Sequence, residues 1–484
     1  MPAVIDYKAI RGAIASLPAD VSNDAIGTNA PRLEEIYAPD THAAALDISA
    51  PIVQGARGTG KSFWAGVLGD DALREAAAQA YPRLGLLRLK VQFGYTGIEG
   101  PTGIGRDKLD ACLPQDATSS DARAFFWATV LRALAGSTST DVHELSGLMD
   151  VGSDITTRER QLATADSEFQ KSGRILLIVY DALDTFATSW PRRHLLTQAL
   201  LEVVWAMRAY RSIRMKLFLR PDQIEDDALH FVELPKLRTG AVRLTWSGLD
   251  LYGLLFARLA MGDAQRAFGD LLSLCSLRKP TRAQVLRREW PLSQDERAQR
   301  DLMTELAGQY MGEGEYAYKK GDTYDWPLKH LSDAFDEVTP RSFLGLMIAA
   351  AKYGPPPAGR VLTPAGIQHG LRAASKTRVD QLHQEFPWIK GVLAPLAGLL
   401  LPQEEQKVHS VWRKASTLQS SLEDSSLKGY LPPVQPAKSN HERELYAAME
   451  KIGVMLRRKD GRIDMPDLFR VAAKLLKKGA TAPL

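Results

Sequence analysis

A glycine-rich stretch at residues 55–62 constrains the fold more than any other feature of this chain. It reads Gly55-Ala-Arg-Gly-Thr-Gly-Lys-Ser62, follows the short apolar run Ala50–Val53, and precedes Phe63–Leu68, which has helical apolar spacing. Glycines let a backbone wrap closely around phosphates with its N–H groups pointing inward, and the start of the next helix adds partial positive charge. The pattern predicts a strand, a phosphate-binding loop and a helix, in that order.

The residue types in this phosphate loop indicate its ligand. Lys61 can reach the β- and γ-phosphates of a nucleotide, and the hydroxyl of Ser62 is a suitable Mg²⁺ ligand. We predict ATP with Mg²⁺; GTP is the alternative, although no guanine-specificity motif stands out. The predicted cofactor-binding residues of this stretch are Gly55, Gly58, Thr59, Gly60, Lys61, Ser62 and Phe63.

A second predicted strand supplies an acidic partner for the loop. In Arg174–Tyr180, every residue after the initial arginine is apolar and several are β-branched, as in a buried parallel strand, and Asp181 follows the run. We expect Asp181 to lie on a strand neighbouring the loop strand and to hold the Mg²⁺ shell through water. Asp184 is placed to orient the attacking water, with a turn or helix-capping role as the alternative.

Further strands complete a fold prediction. Arg214–Leu219 ends in Arg220, which would face the γ-phosphate from a strand beside the acidic one, unless it is a solvated strand-end residue. Leu84–Phe93 and Val242–Trp246 read as two more strands, and Leu195–Arg211 reads as an intervening helix. Alternating strands and helices predict an α/β fold with a parallel sheet inside a three-layer α/β/α core.

Composition bounds the class of protein. With 484 residues, 45% of them hydrophobic, the chain should form two to four domains. A net charge of +4 excludes a uniformly basic nucleic-acid coat. Cys112 and Cys275 lack metal-ligand spacing and suggest a reducing compartment. Residues 1–22 lack a signal-peptide layout, and Gly391–Leu401 is too short to span a bilayer. These features predict a cytoplasmic protein with no membrane contact.

Proline, glycine and serine mark the predicted domain boundaries. Gly354–Gly359 contains three prolines, and residues 416–439 are rich in serine and proline. Trp290, Tyr310, Tyr316, Tyr324 and Trp326 are expected in the core of a helical lid. The predicted segments are an N-terminal helical segment (1–34), a nucleotide-binding core (35–248) with an insertion at about 96–137, a helical lid (249–353), a small helical unit (360–415), a linker (416–439) and a winged-helix-like module (440–484).

The order of these motifs resembles a known class. Ile178–Asp184 resembles the acidic motif of the STAND class of signal-transduction ATPases, which contains NACHT and NB-ARC domains. Phe218–Pro221 is similar to the strand-end Arg-Pro of NACHT domains, and Leu244–Leu251 resembles the step into their helical lid. Thr339–Leu344 is similar to a Pro-Arg sensor on the lids of AAA+ and origin-recognition ATPases. The resemblance covers about residues 35–350.

The resemblance implies roles for single residues. Asp181 would coordinate Mg²⁺ through water, Arg220 would sense the γ-phosphate, and Arg341 would reach the nucleotide from the lid. For Arg341, an ordinary helix-start position after a proline is the alternative. The class usually has glutamate where this chain has Thr185. That departure implies slow ATP hydrolysis or a nucleotide-held switch, unless Asp184 serves instead.

Partners are less constrained by the sequence. Arg208, Arg211 and Arg214 lie where oligomeric AAA+ ATPases place an arginine that acts on a neighbouring subunit; a basic helix end is the alternative. From Lys438 onward there are 11 basic and 6 acidic residues. This basic end could contact nucleic-acid phosphates or dock a protein.

Three functions follow from these features. The first is a STAND-like regulatory ATPase whose nucleotide state controls assembly with a protein partner or effector, or with further copies of itself; the resemblance implies bacterial antiphage defence or signalling. The second is a DNA-associated AAA+ ATPase of the initiator or transposition-regulator type. The third is a nucleotide-binding scaffold that does not hydrolyse ATP.

Overall fold

The protein consists of two compact units. The computed structural model describes residues 5–18, 24–225, 229–435 and 441–483. One unit is Ser22–Thr245, and the other combines Met1–Val21 with Trp246–Leu484. The boundary at 245/246 lies close to the predicted end of the nucleotide-binding core at residue 248, and the finer division into six segments stays a prediction. Parts of the predicted segments (1–4, 19–23, 226–228, 436–440 and 484) lie outside the described residues. No helix in the described ranges is long and apolar enough to cross a membrane.

The first unit is built on a parallel sheet, as predicted. Its strands run β2-β3-β4-β1-β5 across the sheet, and every pairing is parallel. The strands are β1 (Ile52–Gln54), β2 (Leu89–Phe93), β3 (Ile175–Tyr180), β4 (Ile213–Leu219) and β5 (Val242–Arg243). The inner strands β3 and β4 are almost wholly buried, which explains their continuous apolar sequence.

Strand order corrects one prediction. The acidic strand β3 is not a neighbour of the loop strand β1, because β4 lies between them. Strand β1 pairs with β4 on one side and β5 on the other, which leaves no free edge for β3. The arginine-bearing strand β4 does lie beside β3, as expected.

Two predicted strands are shorter than their apolar runs. Residues Pro82–Leu84 and Leu86–Arg88 form short 3-10 turns on either side of Gly85, which has a φ of 62°. A left-handed backbone at that glycine ends any extended run, so β2 begins only at Leu89. Strand β5 stops after two residues rather than continuing to Trp246.

Helices cover both faces of this sheet. In the first unit they are His42–Leu46, Lys61–Gly69, Asp71–Ala80, Arg106–Cys112, Ser119–Leu134, Val142–Ser153, Ile155–Lys171, Trp190–Ala206, Pro221–Ile224 and Leu234–Thr239. The predicted helix over residues 195–211 thus begins five residues earlier and ends in a 3-10 turn, Met207–Ala209.

The segment predicted as an insertion contributes to the core. Helix Ser119–Leu134 buries Phe125, Phe126 and Val130 completely within the main hydrophobic cluster. Its Thr129 hydroxyl hydrogen-bonds the Tyr180 hydroxyl at the end of β3 over 2.6 Å. Residues 96–105 lack regular structure, whereas most of the remainder of the segment to residue 137 is helical. The buried aromatic residues of this helix place it in the core, although turn-forming glycines precede it in the sequence.

The second unit is mainly helical. Its helices are Tyr7–Ser16, Gly248–Met261, Gln265–Leu274, Arg282–Leu286, Glu296–Ala307, Asp325–Leu331, Pro340–Lys352, Pro364–Glu385, Ile389–Leu393, Glu405–Lys414, Thr417–Lys428, Glu442–Lys451 and Asp467–Arg470. Trp290, Tyr324 and Trp326 are buried in it as expected, whereas Tyr316 is 59% exposed. The predicted linker contains the helix Thr417–Lys428. Its small side chains Ser421 and Ser425 are buried, so this segment packs as part of the unit.

The C-terminal residues are not a separate module. A short strand β9 (Leu476–Lys477) pairs with β6 (Leu400–Leu401), so the end of the chain shares a sheet with the preceding segment. The helix that begins at Asp467 ends at Arg470, whose buried guanidinium donates to the carbonyl oxygens of Leu475 and Thr481. Four basic residues of this end, Arg457, Arg458, Lys459 and Arg462, belong to a hairpin of β7 (Leu456–Arg457) and β8 (Ile463–Asp464).

Candidate nucleotide-binding site

The phosphate loop leaves the carboxyl end of β1 and leads directly into helix Lys61–Gly69. Gly58 and Gly60 have φ values of 86° and 101°, a backbone region that favours glycine. A Cβ atom on Gly55 would lie 2.5 Å from the hydroxyl oxygen of Thr59, which donates a 2.8 Å hydrogen bond to the Ala56 carbonyl. The loop is therefore a tight curl that these glycines permit.

Lys61 lies over this curl. Its Nζ atom donates hydrogen bonds to the carbonyl oxygens of Gly55 at 2.7 Å and Ala56 at 3.0 Å. The ammonium group is therefore held against the loop that precedes the helix. A cation beside a glycine-rich loop and a helix N-terminus favours a polyphosphate.

A buried histidine anchors the helix that follows the loop. The indole Nε1 of Trp64 donates to Nδ1 of His42 at 2.9 Å, so Nε2 of that neutral ring is left to donate to the Thr245 carbonyl at 3.0 Å. His42 is fully buried. Sequence reasoning missed this positioning residue, because nothing local in the sequence links residues 42, 64 and 245.

Asp181 meets the loop from the end of β3. Its carboxylate lies close enough to the Ser62 hydroxyl and to Lys61 for both groups to favour its charged form. Burial raises the pKa of Asp181 to about 6, although Ser62 and Lys61 both act to lower it. The structure thus brings Lys61, Ser62 and Asp181 together across the intervening strand β4.

The chemistry of this cluster fits a magnesium ion. Oδ1 of Asp181 is buried and has no hydrogen-bond partner among the described residues, so an oxygen ligand remains available beside the Ser62 hydroxyl. Mg²⁺ prefers oxygen ligands and is commonly held by one or two protein groups together with nucleotide phosphates and water. Ser62 and Asp181 are the residues that would hold it, directly or through water.

Arg220 forms a buried charge network at the end of β4. Its Nε and Nη2 atoms each lie 3.0 Å from the Asp222 carboxylate, and its Nη1 lies 3.4 Å from Asp184. Arg193, itself buried, also binds Asp222 at 2.8 Å. Although burial opposes it, the charges of Arg220 and Arg193 hold the pKa of Asp222 far below its usual range. The sequence did not reveal Arg193 or Asp222 as members of this network.

Thr185 occupies the position where the resembling class carries glutamate. Its hydroxyl is 2.7 Å from the Tyr95 hydroxyl and donates to the Ala182 carbonyl at 2.8 Å. It lies in a short 3-10 turn after Ala182, which has a φ of 54°. The Thr185 hydroxyl is thus engaged in hydrogen bonds within the protein. Asp184 is the carboxylate of this turn whose side chain remains partly exposed, at 34%.

Other predicted residues lie apart from this cluster. Phe63 is half-buried with its ring edge-to-face against Trp64. Arg208, Arg211 and Arg214 lie near the amino end of β4, whereas Arg220 follows its carboxyl end. Arg341 belongs to the second unit, in the first turn of helix Pro340–Lys352, which Thr339 caps. Its contact with a nucleotide therefore stays a prediction.

Comparisons with known proteins give only remote likenesses. No protein-family model and no curated protein matches the chain. Among solved structures, the Walker-type ATPase PABY2304 of Pyrococcus abyssi is similar, with a TM-score of 0.37 and 11% identity over 93% of this chain and 97% of that chain. The Aeropyrum pernix ORC2 protein, solved in ADPNP–ADP complexes, gives a TM-score of 0.34 and 10% identity over 86% and 84%. Both TM-scores are below 0.5, and the α/β fold with its glycine-rich loop is established by the strand, loop and helix geometry described above.

Proposed function

We propose that this protein binds ATP with Mg²⁺ at the phosphate loop and acts as a slowly hydrolysing, STAND-like regulatory ATPase. The observation that supports it best is the position of Asp181, which is buried at the end of β3 and lies near Ser62 and Lys61. A buried carboxylate with a free oxygen next to a phosphate-binding curl has no evident structural use. It suits a site that gathers a cation and a polyphosphate.

The residues of the loop would divide the work of binding. Backbone N–H groups and Lys61 would bind the phosphates, while Ser62 and Asp181 would hold Mg²⁺. Mg²⁺, when bound, neutralises phosphate charge. Arg220 would sense the γ-phosphate at the end of β4, and Asp184 would orient a water molecule.

Slow turnover is proposed because of Thr185. A threonine cannot accept a proton as a carboxylate does, and its hydroxyl already contacts Tyr95 and Ala182. Asp184 is engaged by Arg220. A site that holds its nucleotide long enough to switch between states suits regulation, in defence or signalling with a protein partner, better than rapid energy conversion.

Nucleotide titration tests the proposal. A fluorescent ATP analogue should bind the wild-type protein in the presence of Mg²⁺, and Lys61→Ala should abolish the binding. Lys171→Ala, at an exposed helix end, is the matched control. Absence of wild-type binding to both ATP and GTP analogues would overturn the proposed function.

Assembly is a second part of the proposal. Arg208, Arg211 and Arg214 lie near the opposite end of β4 from Arg220. They are therefore far from the phosphate loop of their own chain, and would act on the nucleotide of a neighbouring copy. Mass photometry with ADP and with ATP should show an ATP-dependent oligomer that Lys61→Ala does not form. A single mass in both nucleotides, with binding intact, would favour a separate protein effector instead.

The DNA-associated alternative receives less support from the basic hairpin. Arg457 pairs with Glu405 at 2.8 Å, and Arg462 pairs with Asp460 at 2.7 Å. Arg458 lies 3.9 Å from Asp464. Much of the hairpin's positive charge is therefore matched by nearby carboxylates, which weakens its attraction for a duplex.

A further inference from the structure

A cleft in the second unit is not explained by nucleotide binding at the phosphate loop. Its volume is about 760 Å³, within the range of sites that enclose small ligands. Residues 319–330, the helix Pro364–Glu385 and the C-terminal residues 479–482 line it. A space of this size is ample for a nucleotide unit of a longer chain.

Four cationic side chains line this cleft: Lys319, Lys320, Lys329 and Arg372. None of the four has an acidic partner within ion-pair distance in the described part of the chain. The lysines are exposed, and Arg372 makes only a long 3.4 Å contact with the Ala482 carbonyl. Their positive charge is therefore available to an anion.

The acidic residues of the cleft are already paired. Asp325 lies 2.6 Å from Arg300, and Asp322 lies 3.7 Å from the same guanidinium. His330 contacts Asp467. These pairs leave the four cations as the main unmatched charge in the lining, a pattern that favours phosphate groups.

Two exposed tyrosines precede the cleft-lining residue Lys319 in the same loop. Tyr316 and Tyr318 are 59% and 57% exposed, and Nζ of Lys319 lies 4.4 Å and 5.8 Å from their ring centroids. Their loop is closed by a bridge between Tyr310 and Asp322. Neither these tyrosines nor Glu313 and Glu315 of the same loop line the cleft itself. Rings held in water beside lysines are suited to stacking against nucleic-acid bases.

We propose that this cleft binds single-stranded nucleic acid. Lys320, Lys329 and Arg372 would contact phosphates in the cleft, while Tyr316 and Tyr318 would stack against bases that extend beyond it over the neighbouring loop. A single strand is favoured over a free polyphosphate because the exposed rings would have no role with a ligand that lacks bases. A single strand is also favoured over a duplex, whose bases are already stacked and closed to side-chain rings. The proposal does not depend on the phosphate loop.

Fluorescence anisotropy with a short labelled oligo-thymidine tests this site. The full-length protein carries Lys61→Ala throughout, so that the phosphate loop cannot contribute. The cleft variant is Lys320→Ala/Lys329→Ala, and the charge-matched control is Lys414→Ala/Lys451→Ala, on exposed helix ends of the same unit. The cleft variant should weaken binding by about tenfold and reduce the slope of log affinity against log salt by about 1.4, as expected for two lost phosphate contacts.

A second variant separates stacking from charge. Tyr316→Ala/Tyr318→Ala should weaken binding by at least about fivefold without changing the salt slope. Because both rings are exposed, this variant should keep the thermal unfolding midpoint of the parent protein. Equal binding by the cleft variant and its charge-matched control would overturn the proposal. So would tighter binding of a duplex, or binding of tripolyphosphate without binding of the oligonucleotide.

Discussion

The guanidinium of Arg220 lies 3.4 Å from the carboxylate of Asp184, and so links the carboxyl ends of β4 and β3. The same guanidinium binds Asp222 through its other two nitrogen atoms. A γ-phosphate arriving at this edge would compete with Asp184 for Arg220. Nucleotide state and the position of the Asp184 turn would then be coupled through one arginine.

This relationship makes Asp184 the carboxylate to test for hydrolysis. Asp184→Asn keeps the size of the side chain but cannot activate water, so we expect ATP turnover to fall by at least about 100-fold. Nucleotide affinity should change little. Phosphate release and binding of a fluorescent analogue measure the two effects, with the exposed Asp116→Asn as control. Unchanged turnover would show that Asp184 only forms an ion pair with Arg220 and has no role in hydrolysis.

Asp222 should matter for stability rather than chemistry. Asp222→Asn leaves the buried Arg220 and Arg193 without their shared anion, which we expect to cost about 3–5 kcal/mol of unfolding free energy. Denaturant unfolding followed by fluorescence measures the loss. Asp71→Asn removes an exposed acid from its pair with Arg74 and should cost about 1 kcal/mol or less.

Asp222 also predicts how the stability of the protein changes at acid pH. Because the folded pKa of Asp222 lies below its unfolded value of about 3.9, its stabilising contribution is complete above that value and is lost as pH falls further. Wild-type stability should therefore fall more steeply below about pH 4 than that of Asp222→Asn. Parallel slopes in the two proteins would contradict this assignment.

Lys216 predicts a dependence of the same sign in the alkaline range. Its buried ammonium donates to the carbonyl oxygens of Ala45, Asp47 and Ala50 at 2.7–2.8 Å. Burial lowers its pKa to about 7, against the attraction of Asp47. Between this value and the unfolded pKa of about 10.4 the unfolded chain binds more protons, so stability rises with pH.

Replacing this lysine tests that sign. From pH 7 to 10, the unfolding free energy of the wild type should rise relative to Lys216→Met by as much as about 4 kcal/mol. Lys90→Met, on the partly exposed strand β2, is the control for general alkaline effects. A constant difference between wild type and Lys216→Met across this range would show that the pKa of Lys216 is not lowered.

Magnesium dependence should follow Ser62 and Asp181. Wild-type affinity for the ATP analogue should fall when EDTA removes Mg²⁺, and Asp181→Asn or Ser62→Ala should weaken Mg²⁺ binding by about 10- to 100-fold. Calorimetric titration of Mg²⁺ into the protein–nucleotide mixture measures this. An Asp181→Asn protein with wild-type Mg²⁺ affinity would remove Asp181 from the site.

Local patterns explain the successful predictions. The buried strands β3 and β4 were predictable because a parallel strand covered on both faces needs a continuous apolar run. The loop was predictable because left-handed φ values at Gly58 and Gly60 require a residue that tolerates them. The failures involve contacts across the chain. The helix Ser119–Leu134 looked like part of an insertion, since nothing local shows that Phe125 and Phe126 enter the main core.

By itself, the sequence determined the phosphate loop, the strand–loop–helix order and the acidic residue that follows an apolar strand, because each depends on conformational preferences within a few residues. Only the tertiary structure decided that β4 separates β1 from β3, that Asp222 and Arg193 hold Arg220, and that His42 anchors Trp64. These arrangements join residues far apart in the chain. They depend on which buried surfaces and charges find partners, which no local pattern specifies.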